Sequence, residues 1–335
     1  MKQLAFAAGV LALVAIPVSA QSINGAGATF PYPIYSKWFS EYNRIHPEVK
    51  INYQSIGSGG GIRQVSDGIV DFGATDSPMT DQQIAAAKVK TVHVPTVLGA
   101  VVPVYNLPGV GKDLNFSGDV IADIYLGKIK KWNDPRIAKD NPGINFPDQP
   151  ILPIYRSDGS GTTYILTDFL VKVSPEWASR VGRNTSVRWF AGIGQKGNEG
   201  VAGLVRQAPY AFGYVELVFA AHNKMAFGAV KNPSGAFVKA SIESVTAAAA
   251  ATVKTLPADF RVSITNAPGA VSYPISSFTW LLVPTVSRDV AKAKAFSGFL
   301  AWMLDHGESE AAAQYYAPLP KQVQDAVRKA TAQIR

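Results

Sequence analysis

The stretch VLGAVVPVYN, residues 97–106, is an extended apolar run, and it has a counterpart far down the chain in YPISSFTWLLVP, residues 273–284. Between them lies a central block with its own succession of strand-like and helical runs. Two long extended segments flanking such a block predict a chain that crosses from one domain into a second and later returns. The first domain is then discontinuous, residues 21–102 with 273–335, and the second is residues 103–272. Length agrees, because the roughly 315 residues from Gln21 onward exceed what one core usually organises.

Outside these two runs, short β-type segments alternate with helical ones, which argues for an α/β architecture with parallel sheets. After GAGATFP, the side chains of Tyr35, Trp38, Phe39 and Tyr42 fall at i, i+3, i+4 and i+7, one helical face, with Pro31 where a first turn accepts it. VKINYQSIG alternates as a strand and runs into the glycine cluster GSGGG, beyond which Ile62 and Val65 restart a helical face. VDFGATD is a further strand, and Pro78 with Asp81 suits a helix start at about Thr80. The central block holds ILPIYR, the strand-like SVRWF and AFGYVELVF. The Ala-rich segment from Val245 to Val253 reads as helix, and the tail from Lys321 to Ile334 as a closing amphipathic helix.

Composition narrows the class. Hydrophobic residues make up 47% of the chain, enough for sizeable cores, and a net charge of +8 is a modest surplus when only 17% of residues are charged. The densest basic stretch, GKIKKWNDPR, is read as a solvated helix end with a buried Trp132 rather than as a nucleic-acid patch. Residues 1–20 have the layout of a cleavable secretory signal: Lys2, an apolar run from Leu4 to Ile16, then Val18-Ser19-Ala20. The chain has no Cys, so no thiol stands at the cleavage site for a lipid anchor, and neither disulfides nor Cys metal sites are available. These features predict a soluble periplasmic protein that is not a lipoprotein. His46, His93, His222 and His306 lie far apart, without short metal-ligand spacing.

Four places share one grammar, a strand followed by small polar residues and a helix: GAGATFP, IGSGGG, GATDSP and RSDGSGTT. Each presents free amide groups and the positive end of a helix, which suits an anion. Three lie in the first domain and one in the second, so a ligand touching all four sits between the domains. The rival motif is GIGQKG, residues 192–197, which satisfies G-x-G-x-x-G and has Glu216 about 20 residues on. Its preceding strand is short and carries Arg188, and Glu199 would crowd a pyrophosphate, so a tight turn bracing the cleft is the better reading. Ser160 lies in G-S-G rather than in a G-x-S-x-G nucleophile elbow.

The blocks GAGATFP, NYQSIGSGGGIRQV, VDFGATDSPMT, IYLGKIKKWNDPRI, RSDGSGTTY and GQKGNEGVAG, in this order and spacing, resemble the periplasmic phosphate-binding proteins of phosphate-specific ABC transporters. The resemblance covers essentially all of the chain beyond the leader. It implies a type II periplasmic binding protein fold, two α/β domains joined by two crossing strands with the ligand cleft between them. A monomer without cofactors is implied, which binds inorganic phosphate and hands it to membrane permease subunits. By position, the family's phosphate contacts fall on Thr29, Phe30, Ser58, Asp76, Arg156, Ser160, Gly161 and Thr162, with Asp158 orienting Arg156. Two departures stand out: Gly59 where many relatives have a second Ser, and Thr75 where Ser is usual.

Asp76 has its own physical logic in an anion site. A carboxylate can accept a hydrogen bond from a phosphate that still carries a proton, whereas sulfate near neutral pH has none to give. A receptor for another tetrahedral oxyanion such as sulfate is the alternative within the same fold. A secreted phosphatase is the alternative from another class, and it lacks a recognisable base paired with a nucleophile.

Overall fold

A computed structural model of the chain describes residues 21–110, 113–287 and 289–332. The leader assigned to residues 1–20 lies outside the described residues. A nine-stranded sheet runs through the molecule. Eight of its strands are β1 (Gln21–Gly27), β2 (Val49–Ser55), β3 (Phe72–Thr75), β4 (Thr91–Tyr105), β5 (Leu152–Arg156), β6 (Ile193–Gln195), β7 (Ala211–Glu216) and β8 (Ser276–Pro284). Their spatial order is β2-β1-β3-β8-β4-β7-β5-β6, and the short strand Ala226–Phe227 pairs with β4. The result is a mixed α/β, two-domain periplasmic binding protein fold with β4 and β8 as the crossing strands.

The expectation of parallel sheets holds only in the two wings. β1 pairs in parallel with β2 and β3, and β5 with β6 and β7. At the centre β8 runs antiparallel to β3 and β4, and β4 antiparallel to β7. The physical reason is the return of the chain: a segment that comes back along the path by which it left must point the opposite way. SVRWF is not a strand either; residues 186–190 form loop and bends. Its Trp189 instead stacks against Tyr155, with ring centroids 5.1 Å apart, so an apolar alternation served packing rather than pairing.

Helices cover the wings. α1 (Tyr32–Ile45) turns Tyr35, Trp38, Phe39 and Tyr42 inward, where Phe39 lies 5.1 Å from Phe299 on the helix Val290–Asp305. The helix Asp81–Ala86 begins with a capping box in which Thr80 and Gln83 satisfy each other's backbone amides. α2 (Ser58–Ser66), α3 (Gly161–Val173) and α4 (Gly197–Gln207) each start directly beyond a strand end. Trp132 in the basic stretch is buried and donates from Nε1 to the Tyr210 carbonyl at 3.0 Å, while Lys130 and Lys131 stay exposed. No described helix is long and apolar enough to cross a membrane.

His93 on β4 shows what burial does to a titratable group in this core. Its Nε2 accepts a hydrogen bond from the Met79 amide at 3.0 Å, and burial, with the nearby Arg261 charge, pushes its pKa down to about 4. The unfolded chain therefore takes up a proton near pH 6.5 that the folded chain refuses. Stability from this residue is fully present above that pH and is lost as pH falls toward 4. We expect His93→Gln, which keeps an acceptor for Met79, to lose roughly 2 to 3 kcal/mol less than wild type between pH 7 and pH 4 in urea melts. An identical pH dependence in the two proteins would mean that His93 charges without cost.

Candidate anion-binding site

The site is built where strand ends hand over to helix starts. In one wing, β1 leads into Thr29 and Phe30, β2 into Ser58 at the start of α2, and β3 into Asp76. In the other, β5 ends on Arg156, Ser160 caps α3, and β6 leads into the start of α4. Ser160 Oγ accepts from the Thr163 amide at 3.0 Å, which leaves its proton free to donate.

The two wings meet here. The Gly59 amide donates to the Gly159 carbonyl at 2.9 Å. A Cβ added at Gly161 would overlap both Ser58 Oγ and Asp76 Oδ2, so this glycine is what allows the first turn of α3 to sit against the opposite wing. Gly57 has φ +89°, and a side chain there would overlap the Asp158 carboxylate. At Gly59, the departure from the usual Ser, an added Cβ would stand 3.3 Å from Gly159 Cα, so glycine relieves a tight approach. Thr75, the other departure, spends its hydroxyl locally, donating to the Ser77 carbonyl at 2.6 Å and accepting from the Ser77 amide at 3.0 Å.

Arg156 has a side chain only 1% exposed, and it is held by a two-pronged contact to Asp158: Nε to Oδ1 at 2.7 Å and Nη2 to Oδ2 at 2.5 Å. Its remaining Nη1 donates to Thr162 Oγ1 at 3.2 Å. Asp158 also accepts from the Gly197 amide at 3.1 Å. Burial raises the pKa of Asp158, but the bonds and charge of Arg156 and the Gly197 amide outweigh it, so the carboxyl sits below its ordinary value.

Asp76 presents the opposite case. Its carboxyl is buried, with Oδ1 accepting from Thr279 Oγ1 at 2.7 Å and Oδ2 turned toward Ser58 Oγ at 3.4 Å. Burial pushes its pKa up to about 7, against the smaller opposing effects of Thr279, the Arg156 charge and Ser58. One carboxyl beside the site is thus locked as an anion, and the other is poised to hold or share a proton. Glu216, fully buried at the end of β7, is raised well above the ordinary carboxyl range by burial and accepts from the Val218 amide at 2.6 Å.

The structure brings Thr29, Ser58, Asp76, Arg156, Asp158, Gly161 and Thr162 into one contact network, with Ser160 as the cap beside them. Phe30 is tied in through its backbone, its carbonyl accepting from Tyr316 at 2.6 Å, while its ring is fully buried. Two residues that sequence reasoning missed complete the network. Thr279 is a hydroxyl inside the buried apolar run of β8, and such a group needs a partner, which here is Asp76. Asn198 donates from Nδ2 to Thr29 Oγ1 at 2.8 Å and to Thr162 Oγ1 at 3.1 Å. Its signal was in GQKGNEG, a fifth junction of strand, turn and helix with the same grammar as the other four. Of the glycines of GIGQKG, Gly192 precedes β6, Gly194 lies within it and Gly197 opens α4, where its amide braces Asp158.

Comparison with known proteins agrees with this architecture. A family model described as a PBP superfamily domain matches residues 16–306. A phosphate-binding protein PstS of Xylella fastidiosa is 45% identical over 300 residues, covering 89% of this chain and 81% of the relative. The PstS of Pasteurella multocida is 45% identical over 310 residues, covering 92% and 89%. Among solved structures, a high affinity periplasmic phosphate-binding protein, PfluDING, bound with phosphate, superposes with a TM-score of 0.74 at 20% identity, covering 92% of this chain and 93% of that one. The fold, the network between its wings and identity at this level over nine-tenths of the chain place the protein in the PBP superfamily, within the family of PstS phosphate-binding proteins.

Proposed function

We propose that this protein is a periplasmic receptor for inorganic phosphate that closes on its ligand and delivers it to the permease subunits of an ABC importer, performing no chemistry itself. The relatives named phosphate-binding protein PstS support the ligand, and the secretory layout of the first 20 residues supports the location. The observation that carries the reading is Asp76. In a site otherwise made of donors, its carboxyl has one oxygen engaged by Thr279 and the other turned toward Ser58 and Gly161. A bare dianion is repelled by such an acceptor, whereas a phosphate that keeps a proton can donate to it.

The remaining residues take roles that follow from their chemistry. Arg156 offers its guanidinium, Ser58, Ser160, Thr29 and Thr162 offer hydroxyls, and the backbone at Phe30 and Gly161 offers amides at the turns into α1 and α3. Asp158 fixes the guanidinium and offsets its charge. The moving parts are residues 21–102 with 273–335 on one side and 103–272 on the other, hinged on the crossing segments. Hydrolysis finds less support, since among the described residues no group of three or more His, Asp or Glu side chains gathers as a metal site would.

Calorimetric titration of the ligand-free protein with phosphate, sulfate and arsenate tests the ligand directly. We expect phosphate and arsenate to bind and sulfate to bind about ten- to a hundredfold more weakly, since an unpaired polar group facing a buried ligand costs on the order of 1 to 3 kcal/mol. Sulfate binding as tight as phosphate would overturn the assignment. Asp76→Asn keeps the size but can turn an amide donor toward the anion, so the phosphate to sulfate ratio should fall by at least about tenfold. An unchanged ratio would remove Asp76 from the discrimination and leave the receptor function standing. Gly161→Ala forces a methyl onto Ser58 and Asp76. Overpacking of this kind costs about 1 to 3 kcal/mol, so affinity should drop about tenfold or more, and scattering at saturating phosphate should show a less compact particle than wild type. Equal compaction and affinity would show that the lobes close without this contact.

A further inference from the structure

We propose that Asn198 sets the polarity of the two threonine hydroxyls at the site, Thr29 in one lobe and Thr162 in the other, so that both can only donate to the anion. The assignment rests on the phosphate-receptor reading and adds a positioning residue to it. Asn198 is the second residue of α4 and is fully buried. Its Oδ1 accepts from the Glu216 backbone amide at 3.0 Å. That donor fixes which way the side-chain amide faces, because a reversed amide would set two N–H groups against each other. The NH2 end therefore points at the threonines, and its two hydrogens are used on Thr29 Oγ1 at 2.8 Å and Thr162 Oγ1 at 3.1 Å.

A hydroxyl has one proton and two lone pairs. Thr162 Oγ1 receives Asn198 Nδ2 and Arg156 Nη1, the latter at 3.2 Å. Thr29 Oγ1 receives Asn198 Nδ2 and also lies 3.4 Å from the Asn198 backbone amide. With both lone pairs engaged, each oxygen keeps one capacity, to donate its proton. A free hydroxyl in an anion site can rotate and turn its oxygen toward the ligand; these two are held against that. Because the threonines come from opposite lobes, one amide group aligns a donor on each side of the cleft.

The test is a mutant cycle read by equilibrium dialysis with labelled phosphate, with thermal melts run alongside as a fold control. Asn198→Ala should weaken phosphate binding about tenfold or more in the wild-type background. In a background carrying Thr29→Val and Thr162→Val, which removes both hydroxyls at nearly constant volume, the same change should cost less than about threefold, because nothing is left for Asn198 to orient. Should Asn198→Ala fold poorly, Asn198→Asp keeps the volume and the contact to Glu216 but accepts the threonine protons, and its loss should shrink in the valine background in the same way. A loss of the same factor in both backgrounds, or one below about twofold in wild type, would show that Asn198 only packs and would overturn the assignment. Failure of the wild-type protein to bind phosphate overturns the receptor reading itself, and with it this assignment; wild-type binding with an additive cycle overturns this assignment alone.

Discussion

The antiparallel pairing of β4 with β8 is the constraint on which the site depends. Its register runs from Thr91 opposite Pro284 to Ala100 opposite Ser276, with a shift at Thr279 and Trp280 that leaves Thr96 as an extra residue. The extra residue is put to use: Thr96 Oγ1 donates to the Thr279 carbonyl at 3.3 Å and shares a hydrogen bond with the Tyr35 hydroxyl at 2.8 Å. Thr279 is thereby aimed at Asp76, the residue just beyond the neighbouring β3, with which β8 also pairs. Because side chains alternate along a strand, a slip of one residue would send Thr279 to the other face and leave the buried Asp76 without its firmest partner. The strand that pairs the two wings thus sets the surroundings of the Asp76 carboxyl.

Electrostatics in the site do not follow the charge of the whole molecule. The net surplus of +8 is spread over the chain, whereas the site pairs its one guanidinium with Asp158 inside the protein. A buried ion pair of this kind contributes little attraction at a distance, and its value lies in geometry: the guanidinium is fixed in plane and its remaining N–H is turned to Thr162. In the receptor proposed above, an anion would meet oriented hydroxyls and helix-start amides rather than a pool of positive charge. On that proposal, selectivity depends on which oxygens bear protons. That is the property in which Asp76, with its pKa raised to about 7 by burial, differs from Asp158, which Arg156 holds as an anion.

Much of this was legible in local sequence. Periodicity marked the faces of α1 and α2, since Tyr35, Trp38, Ile62 and Val65 are buried where the spacing put them. The junctions of strand and helix marked most of the residues that the fold gathers into the candidate site, because small residues before a helix leave amides uncovered whatever the rest of the fold does. Strand direction was not legible, since pairing sense is a property of the path between strands, and the path was visible only as two long apolar runs. SVRWF misled because alternation records burial on one side and not a hydrogen-bonding neighbour; Trp189 is packed without a ladder. Thr279 and Asn198 stayed hidden because each acts through a partner more than 35 residues away, the hydroxyl on Asp76 and the amide on Thr29 and Thr162.

The contacts between the lobes explain why the site needs small residues at its rim. Gly59 and Gly159 bring two backbones within a hydrogen bond of each other, and Gly161 lets the start of α3 touch Ser58 and Asp76. Backbone contacts of this kind contribute about 0.5 to 1.5 kcal/mol each when they replace bonds to water, which is too little to hold two lobes shut unaided. In the receptor proposed above, a ligand that bonds donors of both lobes at once would add the difference, and it could shift the balance only by what it gains in the closed form over the open one. Asn198 lies at the point where these demands meet. It crosses the interface to Thr29 and spends the rest of its side-chain amide on Thr162 and Glu216, so the group that joins the lobes is also the one that aligns their donors.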